Sequence, residues 1–408
     1  MNYNTYQLDN GLRVIHLPSE SKVIYCGIAV KAGTRDEQPG EEGLAHFCEH
    51  LSFKGTEHRS AVQIINAIEG LGGELNAFTN KEDTVFYCAI QSKHFTKAVD
   101  VLCDIVFHSI YPQHEVEKER EVVCDEIESY EDSPAELIYD EIENILFEDH
   151  PLGHNILGNS EQVRHYNSED ARRFTRRYYR PDNCVFFVSG NVGFNSLVRR
   201  LEALHYPAPT EQPVSSSRTD CTDNHPAHEI IRHRGTHQAH VIVGTRSFAA
   251  EDPRRWALYL LNNIIGGPGL NSRLNLALRE RNGLVYSVES SMVCYGDTGA
   301  WCIYFGCDQA DVKRCLRLVR RELDKLMQTP LSASQLTKAK QQLQGQLAIA
   351  CDSREQFALD FAKNYLHSGR QRDLNDIMHH IDSLTAQDLQ QVAQSLFDRQ
   401  RLTTLIYD

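Results

Sequence analysis

No run of this sequence approaches the roughly 18 consecutive apolar residues of a membrane-spanning helix, so none is expected. Closely paired cysteines are also missing. The twelve cysteines are scattered over 408 residues with no Cys-x-x-Cys, which excludes a zinc ribbon. Most sit inside apolar runs such as Phe86–Tyr87–Cys88 and Trp301–Cys302–Ile303, the usage of free thiols in a reducing compartment. Positive charge is in deficit. Lys and Arg number 42 against 56 Asp and Glu, a formal net charge of −14, and a nucleic-acid binder would carry a basic surplus instead. The opening MNYNTYQLDNGLRVIHLPSES has no basic stretch followed by an apolar core, so a secretory signal is not expected in this chain and a cytoplasmic location is. The glycine-rich Gly266–Gly267–Pro268–Gly269 lacks the Lys-Ser/Thr of a phosphate loop and reads as a helix-ending turn.

What is present describes a globular protein: 41% hydrophobic and 24% charged residues, long enough for two or three domains. Apolar periodicity stops across residues 206–228, where Pro, Ser, Thr and Asn dominate. This linker divides the chain into residues 1–205 and 229–408, and the two halves repeat one pattern. FYCAIQSKHFTKAVDVLCDIVF and WCIYFGCDQADVKRCLRLVRREL are each a strand, a polar break and an amphipathic helix. Tyr130–Pro134 lies within a long helical region ending in LIYDEIENILF, whose counterpart is Cys351–Arg354 followed by EQFALDFAKNYL. Each half closes with a capped helix and a strand, with Ser168 and Thr385 expected as the caps. Strands come in hairpins, the first turning at Asp9–Asn10–Gly11, and helices come in blocks. The expected fold class is therefore α+β: two homologous domains, each a largely antiparallel sheet packed against helices.

The chemistry concentrates in Pro39–Phe53, which reads as a helix with Leu44, Phe47, Cys48 and Leu51 on its apolar stripe. His46 and His50 stand at i and i+4, so both imidazoles leave one face a turn apart and can reach one metal ion. Glu49 borders that face and is free to act beside the metal. The pattern His-x-x-Glu-His inverts His-Glu-x-x-His. Zinc hydrolysis needs a third protein ligand, an open position, and a carboxylate to take a proton. The best source of the third ligand is Glu115–Ile127. There Glu119 and Glu126 lie seven apart on one helix face, Glu126 suited to ligate and Glu119 to orient a histidine. Two ordinary histidines on a packed helix and a solvated Glu-rich face are the bland alternative.

His46–Phe47–Cys48–Glu49–His50 with Glu119 and Glu126 resembles the pitrilysin family. These are inverzincin metallopeptidases that include insulin-degrading enzyme and the mitochondrial processing peptidases. The likeness spans nearly the whole chain. Asp9–Val14, Gly33–Glu37, Gly43–His46 and Leu75–Thr79 follow in family order, and the size looks like the small bacterial members. The resemblance implies that His46, His50 and Glu126 bind one zinc ion per chain, that Glu49 is the general base and that Glu119 supports the site. It implies that Asn76 and Ala77 hold the substrate backbone on an edge strand, a β-augmentation. In the second half Gln346 and Ala339 stand where Glu126 and Glu119 align, so no second zinc site of this kind is expected there. That half instead carries Arg279 and Tyr286, resembling the family's Arg–Tyr pair. Arg279 would bind a substrate carbonyl and Tyr286 would donate to the oxyanion.

The expectation is a zinc metalloendopeptidase acting on peptides or unfolded, presequence-like segments, with no nucleic-acid or membrane partner. Both residue sets on one chain favour a self-sufficient homodimer over a heterodimer. The rival readings are a catalytically weak or inactive peptidase-like structural subunit of an assembly and a peptide-binding module.

Overall fold

The computed structural model describes residues 2–148, 150–206 and 227–408. Almost all of the linker 206–228 therefore lies outside the described residues. The chain forms two compact units. The first takes the described residues of Met1–Ser129, His154–Ser216 and Ala350–Asp373; the second takes those of Tyr130–Gly153, Ser217–Ile349 and Leu374–Asp408.

The first unit is built on six strands: β1 (Asn4–Gln7), β2 (Arg13–Pro18), β3 (Val23–Val30), β4 (Glu74–Thr79), β5 (Thr84–Gln91) and β6 (Cys184–Gly190), in the order β1-β2-β6-β3-β5-β4. All pairs are antiparallel except β2 with β6. The β1–β2 hairpin turns where expected. Gly11 has φ +92°, and a Cβ there would come within 2.7 Å of Asp182 Cβ, so glycine is required twice over. Strand β6 is buried at every position, which explains its unbroken run CVFFVSG. Phe186 and Val188 join the core that contains the helix Leu44–Ser52, while Val185 and Phe187 face a different helix.

That helix, Arg354–Ser368, comes from the other half of the sequence. Its Phe357, Ala358, Phe361, Ala362 and Leu366 pack on Ile15, Ala29, Val85, Val185 and Phe187. The second unit mirrors the arrangement. Its strands are β7 (Glu229–Arg232), β8 (Ala239–Ser247), β9 (Val285–Cys294), β10 (Gly299–Cys307) and β11 (Thr403–Tyr407), in the order β7-β11-β8-β10-β9. Again one pair, β11 with β7, is parallel. The order repeats β2-β6-β3-β5-β4 strand for strand, as duplication requires. One face packs on Leu258, Leu261, Val319 and Leu323; the other is covered by Leu137, Ile138, Ile142 and Leu146 of the helix Pro134–Leu146. Each sheet thus borrows a helix from the opposite half of the chain. Division at residues 206–228 assigns both helices to their own halves, and the packing assigns them to the other.

The fold class is α+β with largely antiparallel sheets, as the hairpin pattern implies. Three local readings change. The metal-motif helix begins at Leu44 and not at Pro39, because Gly43 takes φ +87° and caps it. Asn167, not Ser168, caps the helix Ser168–Tyr178: its side chain accepts from the amides of Glu169 and Asp170, and Asp170 closes the capping box. The helical region after Glu115 breaks at Asp132–Ser133 into two helices, where Pro134 starts the second. Thr385 does cap its helix, accepting from the Asp388 amide. No helix among the described residues is long and apolar enough to cross a membrane.

Phe361 is wholly buried between the borrowed helix and the first sheet. Phe361→Ala should destabilise the first unit by about 3–5 kcal/mol, because the cavity adds to the lost transfer energy. Thermal unfolding checks this, and an unchanged first transition would mean the helix is not anchored there.

Candidate metal centre

The helix Leu44–Ser52 is held at its start by Glu37. The two oxygens of this side chain accept from the amides of Gly43 (3.0 Å) and Ala45 (2.7 Å), which would otherwise be unpaired at a helix N-terminus. Glu37 also receives a hydrogen bond from His154 at 2.8 Å. Burial raises its carboxyl to about 7 even with these donors.

Along the helix, His46 and His50 lie with ring centroids 4.5 Å apart. Glu126, near the end of the helix Gln113–Glu131, brings one carboxylate oxygen to 3.9 Å from His46 Nε2 and 3.5 Å from His50 Nε2. These three residues offer ligand atoms that all lie within 4.8 Å of one another, and they form the one such group of three among the described residues. Two imidazole nitrogens and one carboxylate oxygen fit zinc, with room for a fourth donor. Ligating imidazoles must be neutral. His46 meets that condition: burial, then the neighbouring His50, lowers its pKa to about 3.

His50 is oriented by Glu119. Its Nδ1 stands 3.0 Å from Glu119 Oε1, and Lys54 Nζ lies 2.6 Å from the other oxygen. Burial works against the Glu119 anion, but the hydrogen bonds from His50 and Lys54 outweigh it and hold the carboxyl below its usual range. An ionised carboxylate only accepts, so Nδ1 carries a hydrogen toward Glu119, which leaves Nε2, on the Glu126 side, as the nitrogen available to a metal. His46 has no such support; its Nδ1 is buried without a hydrogen-bond partner among the described residues.

Glu49 is 7% exposed and stands beside the three converging donors without joining them. Burial raises its pKa, and the Thr79 hydroxyl, donating to Glu49 Oε2 at 2.7 Å, partly offsets this. Thr79 ends strand β4, which lies at the sheet's edge with β5 on one side only. Asn76 and Ala77 sit on that strand, Asn76 exposed. Sequence reasoning missed three residues here. Lys54 follows His50 by four and so shares its face. Thr79 closes the Leu75–Thr79 segment, but strand alternation alone could not say that it meets Glu49. Glu37 lay in the Gly33–Glu37 segment with no local sign that it would cap the next helix.

On the second unit, Arg279 lies in a π-helical stretch, Asn275–Glu280, and Tyr286 is the second residue of β9, the edge strand equivalent to β4. The structure brings the two together: the guanidinium carbon is 5.9 Å from the Tyr286 ring centroid, and Tyr286 is 83% exposed. Ala339 and Gln346 lie on the helix Ala333–Ala350, counterpart of Gln113–Glu131.

Residues 13–160 match the profile of the insulinase family, peptidase family M16, and residues 165–343 match the profile described as the peptidase M16 inactive domain. A Streptomyces coelicolor protein named an uncharacterized zinc protease is 34% identical over 406 residues, spanning 98% of this chain and 88% of its own. A Bacillus subtilis protein, the uncharacterized zinc protease YmxG, is 31% identical over 403 residues, spanning 98% and 97%. The crystal structure of a protease from Helicobacter pylori superimposes with a TM-score of 0.93 at 22% identity, covering 100% of this chain and 99% of that one. The chain belongs to the M16 peptidase family.

The Glu37 carboxyl moves from an ordinary value of 4.5 to about 7 on folding. Over that interval the folded chain holds a proton that the unfolded chain has released, so stability should fall as pH rises from about 4.5 to about 7. Glu37→Gln should flatten this slope in denaturation curves taken across the window. The same slope in the variant would show that Glu37 titrates normally.

Proposed function

We propose that this protein is a zinc-dependent endopeptidase that cuts extended peptides or unfolded segments. The observation that carries the reading is the convergence of His46, His50 and Glu126 beside a buried carboxyl, Glu49, that ligates nothing. When bound, zinc supplies Lewis acidity, polarising a peptide carbonyl and making water easier to deprotonate. One ion per chain is the stoichiometry this donor set supports.

Glu49 takes a proton from the attacking water and returns it to the leaving amine. Burial raises its pKa above the ordinary carboxylate value, which makes it a stronger base toward water than an exposed carboxylate. Thr79 holds one Glu49 oxygen in place, and Glu119 holds His50 in its ligating tautomer. Asn76 and Ala77 offer the backbone of β4 to an added strand, which selects for extended chains and against folded ones. Arg279 and Tyr286 supply donors suited to a substrate carbonyl and to developing negative charge on oxygen. The presence of both residue sets on one chain supports a self-sufficient enzyme and a homodimeric assembly. The eleven described cysteines are all unpaired, which supports a reducing compartment such as the cytoplasm.

Glu49→Gln should retain zinc in metal analysis yet lose cleavage of a quenched peptide by a factor of about 10² or more. A chelator should abolish cleavage by the unmodified chain. Turnover that survives both treatments would overturn the assignment. Glu119→Ala should weaken zinc affinity by roughly 10–100-fold, measured by competition with a chelating dye, because His50 loses its orienting partner.

A further inference from the structure

Strand β4 has two faces. Leu75 and Ala77 pack toward the core that holds the helix Leu44–Ser52, and Thr79 reaches Glu49 on that side. Phe78 points the other way, into the cluster formed with the borrowed helix Arg354–Ser368. Beside Phe78 a cleft of about 400 Å³ opens, lined by Phe78, Tyr87, Glu355, Gln356, Leu359 and Lys363, with Ser353 at its rim. That volume lies within the range of ligand pockets and exceeds what one side chain needs.

Phe78, Tyr87 and Leu359 give the cleft an apolar strip among polar neighbours, and Gln356 is engaged by Asp360 on its own helix. Phe78 and Tyr87 stand edge to face, with centroids 6.1 Å apart. Leu359 is nearly buried. Lys363 Nζ lies 5.7 Å from the Phe78 ring centroid, and Glu355 interacts with the Tyr87 hydroxyl. One cation and one anion face the opening, so a charged guest side chain meets as much repulsion as attraction. A flat apolar ring meets two aromatic side chains and a leucine.

A peptide added to β4 must point alternate side chains to alternate faces. Residues on one side face Glu49; those between them face the cleft. We infer that the cleft between β4–β5 and the helix Arg354–Ser368 is a specificity subsite that receives an aromatic side chain of the bound peptide. This deepens the proposed function and rests on its edge-strand binding mode. The subsite reads a residue on the side of the substrate strand opposite the cleavage chemistry, so selection and hydrolysis are served by different faces of one strand.

The test uses the full-length Glu49→Gln chain, which binds without turnover, and fluorescein-labelled Ser/Ala peptides in which one Phe or Gly is walked along the sequence. At one position, flanked by positions with no preference, Phe should tighten binding by roughly tenfold over Gly in anisotropy titrations. Arg or Glu at that position should bind no better than Gly. Adding Gln356→Trp, which fills the cleft from its exposed rim, should bring the Phe/Gly ratio to near one, and Leu359→Ala, which removes a wall, should lower it. A ratio unmoved in both variants, or no position with a preference, overturns the subsite. Positional preference in binding, with no cleavage of the same peptides by the unmodified chain, would sink the hydrolytic reading and leave the subsite standing. Cleavage without any aromatic preference would do the reverse.

Discussion

The pair of charge-assisted hydrogen bonds that converge on Glu119 ties two helices into one site. His50 and Lys54 belong to the helix Leu44–Ser52 and the residues just after it; Glu119 belongs to Gln113–Glu131, which also carries Glu126. A carboxylate that is nearly buried is costly unless such partners satisfy it. Once satisfied, it fixes the tautomer of His50 and the spacing of the two helices, and the distance from Glu126 to both imidazoles follows from that spacing. Glu37 secures the other end of the same helix through its first amides. The geometry of the candidate site is therefore held by two buried acids, neither of which touches the converging atoms of His46 Nε2, His50 Nε2 and Glu126.

Much of this was legible in the sequence, and for identifiable reasons. The histidines at i and i+4 and the glutamates seven apart are local patterns whose geometry the helix dictates, so they place their side chains without any knowledge of tertiary structure. The hairpin-and-block order of strands and helices was enough for the fold class. The family resemblance paired Arg279 with Tyr286, and the two do sit side by side. What stayed hidden depends on contacts distant in sequence. Nothing in EQFALDFAKNYL states that Phe357 and Phe361 will cover a sheet made by residues 13–190, because an apolar helix face records that it is buried and not against what. The link from Thr79 to Glu49 and the cap from Glu37 are of the same kind.

The two units show what duplication kept and what it released. Strand order, the single parallel pair and the borrowed helix are common to both, since each is needed to bury the same two sheet faces. The side chains at the positions of Glu119 and Glu126 differ between the two units. Ala339 and Gln346 occupy the second unit's equivalent helix, where Ala339 packs on the core as a small apolar residue. The fold therefore does not require glutamates at these helix positions, and the second unit carries a guanidinium and a phenol at its own edge strand.

The reciprocal loan of helices bears on how the chain comes to be folded. A ribosome finishes the last strand of the first sheet at residue 190 but does not release the helix that shields Phe187 until residue 368 has been made. Through that interval of synthesis the first sheet offers an uncovered apolar face to its surroundings, and any helix of suitable shape could dock there. A separately expressed first half would lack the only helix of this cluster among the described residues, and a supplied peptide of residues 354–368 carries the side chains that cover that face.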